Sequence, residues 1–269
     1  MTQKSISGLL LLLTMLLLLV TSCNKTGQKP IDPVPVPTAG KLAKMAFKDG
    51  SYDSVFYQAD GSISRIKIHY ALPGPYTETY DFEYNSDKKV SKVLQNNGEY
   101  FQYSYVNGQL AAVAHYVAGN KQDQRIYDYQ DGKLISIEEY HQPSPNTPGY
   151  EFTGERILEY YPDGNLKKET SYSFDPQTRA PIRDASIEYS DYDLRQNPAD
   201  QLSRFLYLSF IQFSRNNPRK TVIKNEQNGS ATEFLTEYTY NASLTPSSHK
   251  TTFLSGGQQV VDTVMYYYY

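Results

Sequence analysis

The side chains that could do chemistry are one cysteine, four histidines and a surplus of carboxylates in a chain of 269 residues. A zinc site on a helix needs two histidines four positions apart, and other zinc sites pair histidines with cysteines. None of the four histidines has such a neighbour in the sequence; they are His69, His115, His141 and His249. Their spacing favours ordinary strand or loop positions, and we expect no metal site.

Two groups of acidic residues could act in other ways. Asp191 and Asp193 could touch a cation, but the twelve-residue spacing of a calcium loop is missing, so a polar turn is the better interpretation. A glycosidase uses two carboxyl groups roughly 5–10 Å apart. Such a pair could assemble in space from the glutamates of the central segment, which are Glu138, Glu139, Glu155 and Glu159. Sequence spacing alone cannot show it.

The sequence has none of the short motifs that mark common enzyme classes. It lacks a nucleophile elbow, a phosphate-cradling glycine loop and a dinucleotide fingerprint. We therefore expect no enzyme and no cofactor. The 26 Lys and Arg residues nearly balance 29 Asp and Glu residues, so the chain also lacks the basic field that nucleic-acid binding requires. A single cysteine excludes a disulfide framework.

Tyrosine is the one residue type in marked excess, with 26 copies and no tryptophan. Each tyrosine presents a flat apolar ring with a polar tip, so rows of tyrosines on a sheet can stack against sugars or other ligands. Alternatively, tyrosine replaces leucine and valine on the core face of a thin sheet. Composition leaves both interpretations open.

The single cysteine ends an N-terminal targeting pattern. Lys4 supplies a positive charge, and the apolar run 9–20 has the length of a signal-peptide core and is too short to span a membrane as a helix. The residues up to Cys23 read V-T-S-C, which resembles the lipobox of bacterial lipoproteins. The resemblance implies that residues 1–22 are a signal peptide and that Cys23 is acylated and attaches the chain to a membrane.

Residues 23–40 are expected to form a tether. Four prolines fall within eight positions of this stretch and favour an extended, polyproline-like spacer. No acidic residue stands between Cys23 and Asp32. Several surface lipoproteins of Bacteroidota are similar but carry acidic residues directly after the cysteine. The absence of acidic residues directly after Cys23 favours an anchor on the periplasmic face of the outer membrane over one on the cell surface.

Residues 41–269 repeat one unit, in which an alternating aromatic run leads through a polar turn to an aliphatic run. In 80–84, period two puts Tyr80, Phe82 and Tyr84 on one face, opposite Asp81 and Glu83. Turns such as Asn107-Gly108 and Asp131-Gly132 tolerate the positive φ of tight hairpins. The pattern predicts an all-β antiparallel meander of about 14–17 short strands, forming a curved sheet, half-barrel or barrel with one aromatic face and one charged face.

One segment departs from the repeat. Asn197 is a good N-cap, Pro198 suits the first helical position, and Leu202 continues a helical spacing into Phe205. A strand over 205–213 is the competing interpretation, because aromatic and aliphatic residues also alternate there. We expect one short helix near 198–208 followed by a strand from about residue 209, buried as a plug against the inner face of the sheet.

Two resemblances support this fold. The unit 127–137 resembles a single tyrosine-aspartate (YD, or Rhs-type) repeat, a family whose units line a large β shell. The lipobox, the proline-rich spacer, the tyrosine-rich hairpins, Asn197-Pro198, the motif at 216–218 and the tyrosine-rich last strand occur together. This combination resembles a family of Bacteroidota lipoproteins of unknown function with a porin-like β fold. The resemblance implies a curved or closed sheet in the cell envelope and carries over no catalytic residue.

These observations favour a lipid-anchored cell-envelope protein, attached to the membrane through Cys23, that acts as a non-catalytic binding or structural module. A glycan or a lipid is the expected class of ligand, and we expect no nucleic-acid partner. An outer-membrane β-barrel pore and a glycan-active enzyme are the alternatives. The alternating runs, mostly about 5–7 residues, are shorter than the roughly 9–11 residues of a membrane-spanning strand, which counts against the pore.

Overall fold

The computed structural model describes residues 40–143, 149–175, 177–202, 214–255 and 257–269, all within the unit Pro37–Tyr269. These residues form one antiparallel sheet in which each strand pairs with its neighbours in sequence. The last strand returns to pair with the first, so the sheet closes into a barrel of sixteen strands. The predicted all-β antiparallel meander is confirmed, and the barrel is the form that it takes.

The strands in chain order are β1 Leu42–Phe47, β2 Tyr52–Tyr57, β3 Ile63–Tyr70, β4 Tyr76–Tyr84, β5 Val90–Gln95, β6 Tyr100–Val106, β7 Gln109–Val117, β8 Asn120–Gln130, β9 Lys133–His141, β10 Glu151–Tyr160, β11 Leu166–Phe174, β12 Pro181–Ser190, β13 Lys220–Asn225, β14 Ala231–Tyr240, β15 Pro246–Ser255 and β16 Gln258–Tyr268. Ten of the sixteen contain 9–11 residues. The expectation of mostly 5–7 residues is therefore wrong, because polar residues extend each strand beyond its aromatic run.

Tight turns of the predicted kind connect the strands. Asn107 and Gly108 have φ of 49° and 83°, and Asp131 and Gly132 have φ of 50° and 77°. Two consecutive positive φ values characterise a type I′ turn, whose twist matches that of a hairpin. Ala118 takes the same conformation before Gly119, with φ of 50°. Alanine gives no sequence signal for this conformation.

The side chains of each strand alternate between the lumen and the outside. Tyr80 and Phe82 are buried inside the barrel, whereas Asp81 pairs with Arg65 on the outer face at 2.5 Å. A continuous apolar core fills the half of the lumen where the chain enters β1. Six fully buried residues mark it, namely Val55, Ile66, Val93, Val113, Ile137 and Leu166. We call this half the closed half, and the other half, towards the β1–β2 and β3–β4 turns, the open half.

The long β12–β13 connection lies at the closed half, and Leu202 from this connection belongs to the same core. Asn197 caps a turn there, since its Oδ1 accepts from the Ala199 amide at 2.9 Å. The described part of the predicted helix is a 3₁₀ turn, Asp200–Leu202. The rest of the helix and the start of the following strand lie outside the described residues, and so do the signal peptide, Cys23 and nearly all of the tether.

A buried polar clamp holds this connection. The side-chain amide of Asn217 donates to Asp193 Oδ1 at 3.2 Å and to the Arg195 carbonyl at 3.3 Å. The hydroxyl of Tyr240, on β14, donates to the same carboxylate. Asp193 and Asn217 are both buried. Because a buried carboxylate needs partners, this clamp fixes the connection against the barrel.

Candidate functional site

The candidate site is the open half of the lumen, where the inner face of the sheet becomes polar. Asp123 and Arg125 alternate with Tyr127 along β8 and therefore face inward, as Tyr127 does in the core. The same applies on β9 to His141, which stands four residues beyond the buried Ile137. The side chain of His141 is nevertheless 50% exposed. His141 is the last residue of β9, so this exposure shows that water reaches the inner face at the rim of the open half.

A chain of hydrogen-bonded ionisable groups crosses four neighbouring strands here. His115 Nε2 lies 2.8 Å from Glu99 Oε2, and its Nδ1 lies 3.2 Å from Asp123 Oδ2. The other oxygen of Asp123 lies 2.6 Å from Nδ1 of His141. The ring of His115 also stacks on Phe101, with centroids 4.8 Å apart. These contacts fix the imidazole between two carboxylates, so its orientation is set before any ligand arrives.

A second network lies beside the first. Arg125 Nε contacts Glu139 Oε1 at 3.0 Å, and Arg156 reaches the same oxygen at 3.5 Å. Arg156 also contacts Glu169 at 3.3 Å. The carboxylates of this network are thus shared between strands β8 to β11. Each arginine presents several donors in a rigid plane, which suits recognition of polar groups on a ligand.

Further acidic groups face the lumen on β2 to β4. Asp53 is buried next to Met45 and Ile68, and this burial raises its pKa to about 6. Glu78 accepts a hydrogen bond of 2.8 Å from the hydroxyl of Tyr80 on the same face. Asp53 is consequently a group that changes charge near neutral pH.

The facing wall of the open half carries an apolar patch, beside Thr236, Thr251 and Asp262 on the same inward face. Phe234 on β14 and Phe253 on β15 stand opposite each other with ring centroids 4.9 Å apart. Ile223 on β13 and Val260 on β16 continue this patch and are 39% and 37% exposed. They share the inward face with these rings, as their pairings with Thr232 and Phe253 show. The lumen thus has one ionic wall and one apolar wall, both accessible to water.

Many tyrosines pack in the closed half. Hydroxyl groups of Tyr57, Tyr84 and Tyr268 donate to backbone carbonyls near the turns at 2.7–2.9 Å. Burial raises the pKa of Tyr105 and Tyr160 to about 12. These side chains pack against the core. Core packing, the second of the two interpretations that composition left open, thus accounts for part of the tyrosine excess.

The four histidines lie in different parts of the barrel. All four lie in strands, as expected: His115 and His141 meet through Asp123, while His69 stacks on Tyr52 outside the barrel. His249 faces the closed half, where burial lowers its pKa and its Nδ1 lies 2.7 Å from the hydroxyl of Tyr266. Among the described residues, no three His, Cys, Asp or Glu side chains are grouped so that they could hold a metal ion.

The four candidate glutamates do not assemble into one site. Glu138 and Glu155 are paired on the outer face, where they bond Tyr140 and Ser136 respectively. Glu159 also faces outward, and only Glu139 of the four enters the lumen. Asp193 belongs to the buried clamp described above, and Asp191 has a positive φ of 54°. Glu139 is separated from Glu138 because adjacent side chains on a strand point to opposite faces.

The ionic lumen is what sequence reasoning missed. We expected one aromatic face and one charged face along the whole sheet, and this holds only in the closed half. The available signal was parity: Asp123 and Arg125 fall on the same side of the period as Tyr127 and Tyr129. Charged residues in phase with an aromatic run indicate that the inner face changes character along the strand.

The outer face is charged along its length. Besides Arg65 and Asp81, Lys168 pairs with Glu188 at 2.9 Å, and Lys220 pairs with Glu233 at 2.7 Å. A shallow groove of about 460 Å³ lies beside Lys168 and Lys220. No helix in the described part of the chain is long and apolar enough to cross a membrane.

Comparisons with known proteins identify the fold. The sequence matches no protein-family model and no curated protein. A porin-like protein from Bacteroides uniformis ATCC 8492 aligns with 88% of this chain and 100% of its own, with a TM-score of 0.58 and 12% identity. A porin-like protein from Bacteroides vulgatus ATCC 8482 aligns with 85% and 99%, with a TM-score of 0.56 and 14% identity.

At these identities the likeness shows the fold alone, and the fold is porin-like. That part of the predicted resemblance is confirmed. The lipoprotein family and the YD-type repeat remain predictions.

Proposed function

We propose that this protein is a lipid-anchored, non-catalytic binding protein of the bacterial envelope and that it takes its ligand into the open half of its barrel. The observation that carries the proposal is the pair of hydrogen-bonded ionic networks that face inward and are open to water. Ionisable groups held in a concave, water-filled space are typical of ligand sites.

The barrel geometry supports a binding site with one entrance. Side chains can fill the interior of a barrel of about eight strands. A barrel of sixteen strands is wider, so its side chains can leave open space inside. The core occupies the closed half together with Leu202. A ligand that enters from the open half would therefore meet a packed floor. The expected ligand classes are a glycan or a lipid.

An outer-membrane pore is the competing function, and the porin-like fold of the two aligned structures favours it. Strands of 9–11 residues are long enough to span. The outer face opposes insertion, because Arg65, Lys168 and Lys220 would stand in the hydrocarbon, where each cationic side chain costs about 2–4 kcal/mol at the midplane. The core of the closed half also obstructs a through-channel.

Ligand screening tests the binding proposal. The mature chain carrying Cys23→Ser lacks the acylation site and keeps every described contact. Purified without detergent, it should show a raised melting temperature with at least one member of a panel of envelope glycans and lipids. Arg125→Gln should change the shift, because Arg125 belongs to the ionic network of the lumen, whereas Lys168→Gln, on the outer face, should leave the shift unchanged. A flat response across the whole panel would contradict the proposal.

The anchor has its own test. Cells that express the full chain with a radiolabelled or clickable fatty acid should incorporate the label, and mass spectrometry should place it on an N-terminal Cys23. Cys23→Ser should abolish incorporation and release the protein from the membrane fraction. A mature N-terminus at another residue would overturn the proposed anchor while leaving the binding proposal open to its separate test.

A further inference from the structure

We infer that the ligand is a cationic amphiphile, which places an amine-bearing headgroup against the ionic wall of the open half and an acyl or alkyl chain against the apolar wall. This inference rests on the proposed binding function and narrows it to one class of molecule. It follows from the chemistry of the two walls of the lumen.

The ionic wall carries an excess of negative charge. Its two arginines, Arg125 and Arg156, already contact carboxylates of the protein. Carboxylates that face the lumen outnumber them: Glu99, Asp123, Glu139, Glu151 and Glu169 belong to this wall, and Asp53, Glu78 and Asp262 lie on β2, β4 and β16. Inside a lumen with low-dielectric walls this excess favours a cation and repels an anionic headgroup.

The exposed apolar side chains of the apolar wall would be stabilised by contact with apolar groups, which the ionic wall does not have. Ile223 and Val260 are more than a third exposed although they face inward. Together with Phe234 and Phe253 they form a patch across β13 to β16. Removing apolar surface from water is favourable by roughly 25 cal/mol per Å². A chain of methylene groups would cover this patch.

The order of the strands places the two walls on different parts of the barrel circumference. The ionic networks lie on β6 to β11, and the patch lies on β13 to β16, so closure of the barrel makes the two walls face the same space. A ligand that satisfies both walls must have a charged part and an apolar part. A free amine lacks the tail, and a fatty acid carries the wrong charge.

Four probes that share or lack these parts test the inference by calorimetry on the Cys23→Ser chain, each used below its micelle concentration. Dodecyltrimethylammonium should bind, and dodecyl maltoside should bind about tenfold more weakly. Dodecanoate should bind more weakly still, and tetramethylammonium should not bind measurably. Equal affinity for the cationic and anionic dodecyl probes would overturn the inference, as would binding of tetramethylammonium alone.

Variants place the binding in the lumen. The double change Glu99→Gln and Asp123→Asn keeps the shape of the wall and removes two charges, so the preference for the cationic over the anionic probe should fall about tenfold. Glu188→Gln, on the outer face, is the matched control. Ile223→Thr should weaken binding of all dodecyl probes, and Leu235→Thr, exposed on the outer face, should not. Loss of binding in the control variants would contradict the assignment.

The outcomes separate this inference from the proposed function. If the dodecyl probes fail and a glycan from the panel binds in an Arg125-dependent way, the lumen is a binding site and the amphiphile is wrong. If neither the probes nor the panel bind, both proposals fail.

Discussion

At the scale of single residues, the turns show how local conformation limits stability. The hairpin after β7 places Ala118 at a φ of 50°, a left-handed conformation in which a Cβ atom costs roughly 1 kcal/mol. The hairpin after β6 uses Asn107 in the same position, where asparagine is favoured. In both turns a glycine with positive φ follows this residue, so the two positions form a matched pair.

We predict that Ala118→Asn stabilises the protein by about 1 kcal/mol and that Asn107→Ala destabilises it by a similar amount. Urea denaturation of the Cys23→Ser chain measures both. The two variants should shift the midpoint in opposite directions at an unchanged slope. Shifts of the same sign would show that neighbouring contacts, and not the turn conformation, determine the effect.

The titration of Asp53 bears on stability near neutral pH. Burial raises its pKa from 3.8 to about 6, so between these values the folded protein holds a proton that the unfolded chain has lost. Stability from this group is therefore full below pH 4 and is lost as the pH rises to 6.

We predict that Asp53→Asn removes the loss of stability that occurs between pH 4 and pH 6. Above pH 6 the variant should be more stable than the parent by about 3 kcal/mol, and below pH 4 the two should be alike. Denaturation at a series of pH values gives the difference directly. A constant difference at all pH values would mean that Asp53 does not titrate in this window.

At the scale of elements, the β12–β13 connection depends on polar contacts that replace the regular hairpin. The amide of Asn217 satisfies a buried carboxylate and a backbone carbonyl at the same time. Tyr240 supplies another donor to Asp193 from β14. Removing the amide leaves the carboxylate buried with fewer partners.

We predict that Asn217→Ala destabilises the protein by about 3 kcal/mol, because the buried Asp193 carboxylate and the Arg195 carbonyl both lose a hydrogen-bond donor. Tyr240→Phe keeps the ring and removes one donor, so it should cost about 1 kcal/mol. Asn228→Ala, in an exposed turn, provides the baseline. A change within 0.5 kcal/mol of that baseline for Asn217→Ala would show that the clamp does not hold the connection.

Local pattern was sufficient to predict the strands, because period-two alternation and Asn-Gly or Asp-Gly turns act within a few residues. Tyr80, Phe82 and Tyr84 lie as predicted for this reason. The lengths of the strands and the closure of β1 on β16 depend on the pairing of distant segments, which alternation does not encode. The His115–Asp123–His141 contact could not be predicted for the same reason. Asp123 lies 8 residues from His115 and 18 residues from His141 in the sequence, and the three residues are on three strands.

At the scale of the whole molecule, the barrel is asymmetric along its axis. The inward positions of the closed half are aliphatic and aromatic, and those of the open half are ionic on one wall and apolar on the other. The long connection and Leu202 lie at the closed half. This arrangement supports the proposal that the interior of this porin-like fold acts as a binding cup and not as a channel.

Thiol labelling at two positions of β9 tests this asymmetry most directly. In the Cys23→Ser chain, Ile137→Cys and His141→Cys place a thiol on the same inward face, one in the core and one at the open half. With a polar maleimide, His141→Cys should react nearly as fast as a cysteine at the exposed Lys250, and Ile137→Cys should react only on unfolding. Protection of both positions would show a filled lumen, and rapid labelling of both would show an open channel; either result would contradict the account.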